Sequence, residues 1–263
     1  MKANPAIKIF GLVIAFVLVA PTIIVVATAF TESSIITFPP KGFSFRWFEE
    51  VLTSRQWIEA LQNSLITGAI AAVLAVVVGI SLAMAAARGT AIPRTGLTTF
   101  ALMPMLVPLV VIAIGVYLAF VQIGFYGNVF ALGVAHSILG IPFVFINVLA
   151  ALTNLDPRVE EAARASGASY PITLLRITVP QILPSAFVGG LFAFIASWDE
   201  VVVAIFLVTP GFKTIPVMIW SQVREGLEPS TSAVSTVLTV VTLIVFGIVA
   251  LLNARKSKRT ATS

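Results

Sequence analysis

Cysteine is absent from this 263-residue chain, and histidine occurs once, as His136. These absences exclude disulfides, cysteine nucleophiles and cysteine-ligated metals, and they leave little scope for a site built from several histidines. Charged residues are also scarce, at 10% of the chain, whereas soluble domains carry roughly 25%. Because 59% of the residues are hydrophobic, lipid rather than a single soluble core is the expected surrounding of most side chains.

A phosphate-binding P-loop is missing as well. That loop needs the pattern Gly-x-x-x-x-Gly-Lys-Ser/Thr, whose backbone and lysine bind phosphates. None of the six lysines lies in such a pattern: Lys2, Lys8, Lys41, Lys213, Lys256 and Lys258. No metal-ligand cluster and no Ser/His/Asp arrangement stands out either. We therefore predict that the chain is not an enzyme and holds no cofactor.

Long uncharged runs predict an all-α integral membrane protein. A bilayer core of about 30 Å needs about 20 apolar helical residues to cross it. The run from Thr95 to Leu155 has no charged residue and is too long for one span, so we divide it at the glycine-containing segment 122–128. The chain is then a single transmembrane domain, residues 1–263, with six spans at approximately 9–31, 61–87, 97–121, 128–152, 183–208 and 231–253.

The positions of lysine and arginine predict the orientation of these spans, because cytoplasmic loops are enriched in both. With the N-terminus inside, eleven basic residues are cytoplasmic and five are external. The inner ones are Lys2, Lys8, Arg88, Arg94, Arg158, Arg164, Arg176, Arg255, Lys256, Lys258 and Arg259, and the outer ones are Lys41, Arg46, Arg55, Lys213 and Arg224. Both termini are thus predicted to be cytoplasmic. The net charge of +5 reflects membrane orientation and contact of the tail with anionic lipid, not nucleic-acid binding.

The inner loop between spans four and five, residues 153–180, carries the most information. Asp156 before Pro157 is typical of a helix start, and Glu160 and Glu161 suit the positive N-terminal end of that helix. Gly167 is a natural helix stop. We predict a short surface helix, a glycine turn and a second helix leading into span five.

This loop resembles the EAA loop of ABC importer permeases. In that family Glu-Ala-Ala is followed, after three intervening residues, by Gly, and after nine more intervening residues by an Ile-x-Leu-Pro element. Here the residues are Glu161-Ala162-Ala163, then Gly167, then Ile177-Thr178-Val179-Pro180, with Val179 in place of Leu. The alternative is an ordinary loop helix that packs only on its own bundle.

The resemblance implies a type I ABC importer permease fold in the bacterial inner membrane. It implies that Glu161, Ala162, Ala163 and Gly167 form a coupling helix that docks on the nucleotide-binding subunit. The implied partners are a dimer of ABC ATPases that binds ATP and Mg²⁺, a second homologous permease subunit, and a periplasmic substrate-binding protein.

The chain is similar to the spermidine/putrescine branch of these permeases around Ser197–Val203 and Leu207–Pro210. Asp199 and Glu200 are the only acids within a predicted span, where ionisable groups are costly and usually face a cavity or a partner. We expect both to line a path for a cationic solute, with Trp198 offering a cation–π surface. Alternatively, Ser197 and Glu200 have capping-box spacing and merely restart a broken helix.

Two other classes remain open at this stage. An ion-coupled secondary transporter usually has internal repeats and intramembrane ion sites, and neither is evident. A membrane-embedded enzyme would need a catalytic cluster, and His136 stands alone. We expect His136 to bond a neighbouring helix, and Pro104, Pro108 and Pro142 to kink spans three and four.

Overall fold

The structure, a computed structural model, describes residues 5–89, 92–226 and 228–260, and their side chains except those of residues 5–6 and 245–260. The basic tail at residues 255–259, which we predict to contact anionic lipid, lies outside the described side chains. The helices are α1 (Pro5–Thr28), α2 (Arg46–Thr53), α3 (Arg55–Arg88), α4 (Arg94–Leu106), α5 (Leu109–Gln122), α6 (Val129–Asn154), α7 (Pro157–Ala165), α8 (Tyr170–Thr173), α9 (Val179–Trp198), α10 (Val202–Leu207), α11 (Ile215–Glu225) and α12 (Pro229–Thr260), with a π-helical turn at Leu174–Thr178. In the described part of the chain the only β pairing is an isolated bridge between Thr209 and Phe212.

Several of these helices are long and apolar enough to cross a membrane. Within the described residues four segments qualify on their own, and α4 with α5 forms a fifth if the bent pair counts as one span. The four are Ile7–Thr28, Arg55–Arg88, Val129–Asn154 and Tyr170–Trp198. The apolar side chains of α1 are mostly exposed, which suits lipid because water would solvate such a surface poorly.

The third predicted span, 97–121, is divided in the structure. Helices α4 and α5 meet at an angle of 99°. Val107 has extended backbone angles, φ −84° and ψ 134°, and it precedes Pro108, whose ring disfavours the helical conformation at the residue before it. A proline within the span thus ends one helix and begins the next.

The turn that separates α5 from α6 agrees with the sequence prediction. Helix α5 ends at Gln122, and Gly124 and Gly127 adopt positive φ values of 68° and 72°. The Asn128 side chain then caps α6 by accepting hydrogen bonds from the backbone N–H groups of Phe130 and Ala131. Its amide oxygen satisfies donors that the first helical turn leaves free.

The sixth predicted span, 231–253, lies within α12, whose backbone is helical from Pro229 to Thr260. The apolar part with described side chains is Pro229–Ile244. That length is below the about 20 residues needed to cross a bilayer. The described residues therefore establish α12 as a helix, and its assignment as a sixth span stays a prediction.

The chain forms two compact units, one from Glu59 to Met218 and one from the flanking N- and C-terminal parts. In the central unit α6 packs closely on α9. A Cβ atom built on Gly189 would lie 2.6 Å from the Val144 Cα atom, so glycine is what permits this approach of two backbones. The core around the contact consists largely of small and branched side chains, among them Ala75, Ala83, Val144, Val148, Leu152, Ile182 and Ala186, together with the aromatic Phe145.

The flanking unit contains α1, α2 and α12. Thr28 on α1 donates a hydrogen bond to the Ser232 hydroxyl on α12, at 3.1 Å. The buried Trp47 on α2 donates its indole N–H to the Thr31 carbonyl, at 2.9 Å. These buried polar contacts link α1 to α12 and α2 to the segment that follows α1.

Candidate functional site

Helix α7 begins and ends as its sequence dictates. The Asp156 carboxylate accepts the Arg158 N–H at 2.9 Å, and Pro157 takes the first helical position, where its missing N–H costs no hydrogen bond. At the other end Gly167 has φ +92°, and the Ala168 N–H returns to the Ala163 carbonyl at 3.1 Å. Nine helical residues and a left-handed glycine turn thus present a short, defined surface element.

The four predicted docking residues share this surface. Glu161, Ala162 and Gly167 are exposed and Ala163 is half-buried, and no side chain of α7 is fully buried. Alanine and glycine side chains are small, so another protein can approach the helix backbone here. The structure therefore brings Glu161, Ala162, Ala163 and Gly167 together on one exposed element.

The neighbouring Glu160 has different surroundings, which the sequence did not reveal. Its Oε1 atom accepts a hydrogen bond from Arg88 at 3.0 Å and one from the Thr178 hydroxyl at 2.9 Å. Only 15% of the Glu160 side chain is exposed. One carboxylate therefore connects α7, the C-terminal end of α3 and the π-helical turn before α9.

Electrostatics keep this carboxylate ionised. Partial burial by itself raises the pKa of Glu160, but the hydrogen bonds from Arg88 and Thr178 and the charges of Arg88 and Arg164 outweigh it and hold that pKa below its ordinary value. Each of these partners favours the charged form. The contact with Arg88 is thus an ion pair at neutral pH.

The second group of predicted site residues lies where the fifth predicted span breaks. Helix α9 ends at Trp198 and α10 begins at Val202. Asp199 is exposed at this break, and Trp198 is half-buried, with its ring stacked on that of Phe194 at a centroid distance of 6.0 Å. Glu200 is buried. Adjacent positions therefore present one carboxylate outward and one inward.

Glu200 restarts the helix directly. Its carboxylate accepts the backbone N–H groups of Val202 at 2.9 Å, Val203 at 2.8 Å and Ala204 at 3.3 Å. The sequence alternative of a broken and restarted helix describes this arrangement, but the capping box that this alternative invoked does not form. Ser197 lies inside α9, so the first turn of α10 is capped by Glu200 alone.

Ser197 has a different partner, the single histidine. The His136 Nδ1 atom on α6 shares a hydrogen bond with the Ser197 Oγ atom at 2.8 Å, and the His136 Nε2 atom lies 3.5 Å from a Glu200 oxygen. The prediction that His136 bonds a neighbouring helix is confirmed. This buried contact ties the helix break to α6 and leaves Asp199 as the outward-facing acid of the pair.

The long apolar helices and the exposed loop helix between two of them define a multi-pass α-helical membrane protein. The chain belongs to the family of binding-protein-dependent transport system inner membrane components, whose sequence profile matches residues 75–258. It is therefore an ABC importer permease, for which the Glu161-Ala162-Ala163 motif and its loop helix are typical. Membership in this family favours a transport component over an enzyme or an ion-coupled secondary transporter.

Individual relatives agree with this assignment. The spermidine/putrescine transport system permease protein PotC of Escherichia coli (strain K12) is 29% identical over 224 residues, which cover 85% of this chain and 84% of PotC. The putrescine transport system permease protein PotI of the same strain is 31% identical over 249 residues, covering 92% and 88%. A chain in the crystal structure of a bacterial ABC transporter that imports alginate shares the fold, with a TM-score of 0.71 at 17% identity, covering 95% of this chain and 98% of that one.

Proposed function

We propose that this permease moves a small cationic nitrogenous solute of the polyamine class, and that α7 docks on a separate ATPase that drives it. The observation that supports docking on an ATPase is the exposed nine-residue helix α7, which contains Glu161, Ala162 and Ala163 and ends at the Gly167 turn. Small side chains and one free-standing carboxylate suit a groove on another protein. Hydrolysis of ATP, with its Mg²⁺, then takes place on that partner.

The proposed assembly follows from the family. An ABC importer of this type contains an ATPase dimer, and we propose that a second, homologous permease subunit completes the membrane part. A periplasmic substrate-binding protein delivers the solute to the outer face. The permease then lies in the bacterial inner membrane and itself catalyses no reaction.

We propose six spans with both termini in the cytoplasm. The excess of lysine and arginine in the inner segments supports this orientation. The helical backbone of α12 up to Thr260 supports a sixth span, since a helix of that length exceeds what a bilayer core requires. With this topology α7 faces the cytoplasm, where an ATPase is located.

The solute class rests on Asp199 and its surroundings. Asp199 is the exposed acid at the break between α9 and α10, and a carboxylate within a membrane span attracts positive charge. The ring of the neighbouring Trp198 offers a cation–π surface. The names of PotC and PotI, which are polyamine permeases, support the same class. Glu200 contributes by holding the break open through its cap on α10.

The test of docking is co-purification. The tagged chain, expressed with its neighbouring genes, should bring an ATPase with it, and a loaded binding protein should stimulate hydrolysis. Glu161→Ala should weaken both, and Gly167→Ala should do so because alanine strains a turn with φ +92°. We expect losses of about tenfold, the scale of one or two lost charged hydrogen bonds.

Thr153→Ala is the matched control, because Thr153 is exposed nearby at the end of α6 but lies outside the motif. This variant should keep full co-purification and stimulation. Unchanged stimulation in both Glu161→Ala and Gly167→Ala would refute the docking assignment.

A further inference from the structure

We propose that Glu160 is a positioning residue that transmits the movement of α7 to the membrane helices α3 and α9, through its contacts with Arg88 and Thr178. This inference rests on the proposed docking of α7 on an ATPase. It assigns the two adjacent glutamates to separate tasks. Glu161 faces the partner, and Glu160 holds the helix to its own bundle.

The helix geometry separates the two side chains. Successive residues of an α-helix are about 100° apart around its axis, so Glu160 and Glu161 cannot face the same way. Glu161 is exposed, whereas Glu160 lies against Arg88 and Thr178 with 15% of its side chain exposed. The first faces outward and the second inward toward the membrane helices.

The contacts of Glu160 connect segments that are distant from each other in the sequence. Arg88 precedes Glu160 by 72 positions and is the last residue of α3. Thr178 follows by 18 positions, is buried, and ends the π-helical turn that runs into α9. A single oxygen atom of Glu160 therefore joins α7 to the C-terminal ends of two other elements.

Apolar packing provides little alternative attachment for α7. No side chain of this helix is fully buried, so its position depends on polar contacts and on the short connections at its ends. Hydrogen bonds between ionised groups are roughly twice as strong as neutral ones. The Arg88–Glu160–Thr178 link is thus the strongest polar contact that we find between α7 and the membrane helices.

Helix α9 extends the link toward the proposed solute path. It runs from Val179, next to Thr178, to Trp198, next to Asp199. Its middle packs closely against α6 at Gly189, and closely packed interiors transmit strain, so a displacement at the start of α9 is passed on to this packed pair. A displacement of α7 at Glu160 therefore reaches the break where Asp199 is exposed.

The experiment uses the complete complex with its ATPase in proteoliposomes. The chain has no cysteine, so one cysteine introduced by Trp198→Cys reports the state of the break through its maleimide labelling rate. This readout needs no knowledge of the solute. ATP with vanadate should change the rate when Glu160 is intact, and Glu160→Ala should diminish that change about tenfold, the scale of the charged hydrogen bonds removed.

Further variants separate transmission from docking and from folding. Glu160→Ala should still bring the ATPase through purification, whereas Glu161→Ala should bring about tenfold less of it. Glu160→Gln, which keeps an acceptor for Thr178 but loses the charge, should give an intermediate response. The double variant Arg88→Glu with Glu160→Arg restores an ion pair in reversed order and should recover most of the labelling change that either single variant loses.

Three results would overturn the inference. An undiminished labelling change in Glu160→Ala, with the ATPase bound, would show that the link transmits nothing. Loss of the ATPase from Glu160→Ala, as from Glu161→Ala, would make Glu160 a docking residue. Absence of an ATPase from the unaltered chain would refute the docking on which the inference rests, and this outcome is distinct from the other two.

Discussion

Glu160 and Glu161 are neighbours in the sequence, but the structure bonds only Glu160 to Arg88 and Thr178. The sequence predicted Glu161 as a motif residue and gave Glu160 no more than a place near the helix start. Its partners lie 72 and 18 positions away, and no local pattern encodes such pairing. The helical period alone shows that two adjacent glutamates must face different directions.

Asp199 offers a prediction at the same scale. If it attracts a cationic solute, Asp199→Asn should reduce uptake of labelled spermidine about tenfold, because one carboxylate contact to a cation is worth on the order of 1–2 kcal/mol. Co-purification of the ATPase should remain, since Asp199 lies at the far end of α9 from α7. Uptake in proteoliposomes containing the whole complex is the measurement.

Glu225→Gln is the control for Asp199→Asn, because it removes an exposed acid that belongs to a different helix, α11. This variant should transport normally. Full spermidine uptake by Asp199→Asn would exclude Asp199 from the cation path. Equal losses in both variants would show a general effect of net charge.

At the scale of helices, local sequence signals predicted where helices begin and end, but they did not predict which helices pack together. Asp156, Pro157 and Gly167 marked both ends of α7, and the glycines before Asn128 marked the turn into α6. The sequence also placed prolines in the third span, but not the 99° angle between α4 and α5, because a bend depends on what each half packs against. The contact of α6 with α9 was likewise invisible, since glycine spacing does not identify a partner.

Gly189 gives the prediction at this scale. A Cβ there would lie 2.6 Å from the Val144 Cα and 3.1 Å from the Phe143 carbonyl oxygen, and backbone atoms cannot rotate away. Gly189→Ala should therefore force α6 and α9 apart and lower the free energy of unfolding by about 1–3 kcal/mol. Thermal unfolding in detergent measures the change.

Gly115→Ala is the matched control for Gly189→Ala. Gly115 lies inside α5 with no atom within 4 Å of an added Cβ, so alanine there should be neutral or stabilising by up to about 1 kcal/mol. Equal melting temperatures for the two variants would contradict the packing argument.

At the scale of the whole molecule, composition predicted the membrane class because lipid is the only solvent for so much apolar surface. The described residues provide four helical segments that are long and apolar enough to span a membrane, and one bent pair of helices. Orientation is a different matter, because it depends on the distribution of charge relative to a bilayer. The proposed topology places α7 and the chain end inside and the segment after α1 outside.

Three serines allow this topology to be tested in a chain without cysteine. Ser34 follows α1 and is exposed, and Ser166 is exposed at the end of α7, while Ser257 belongs to the basic tail. In intact spheroplasts a membrane-impermeant maleimide should label Ser34→Cys, and it should label Ser166→Cys and Ser257→Cys only after permeabilisation. Labelling of Ser257→Cys but not of Ser166→Cys in intact spheroplasts would refute the proposed sixth span, while the cytoplasmic position of α7 would stand. Labelling of Ser166→Cys in intact spheroplasts would place α7 on the outer side of the membrane, away from any ATPase. ATP hydrolysis could then not drive transport through this helix, as we propose that it does.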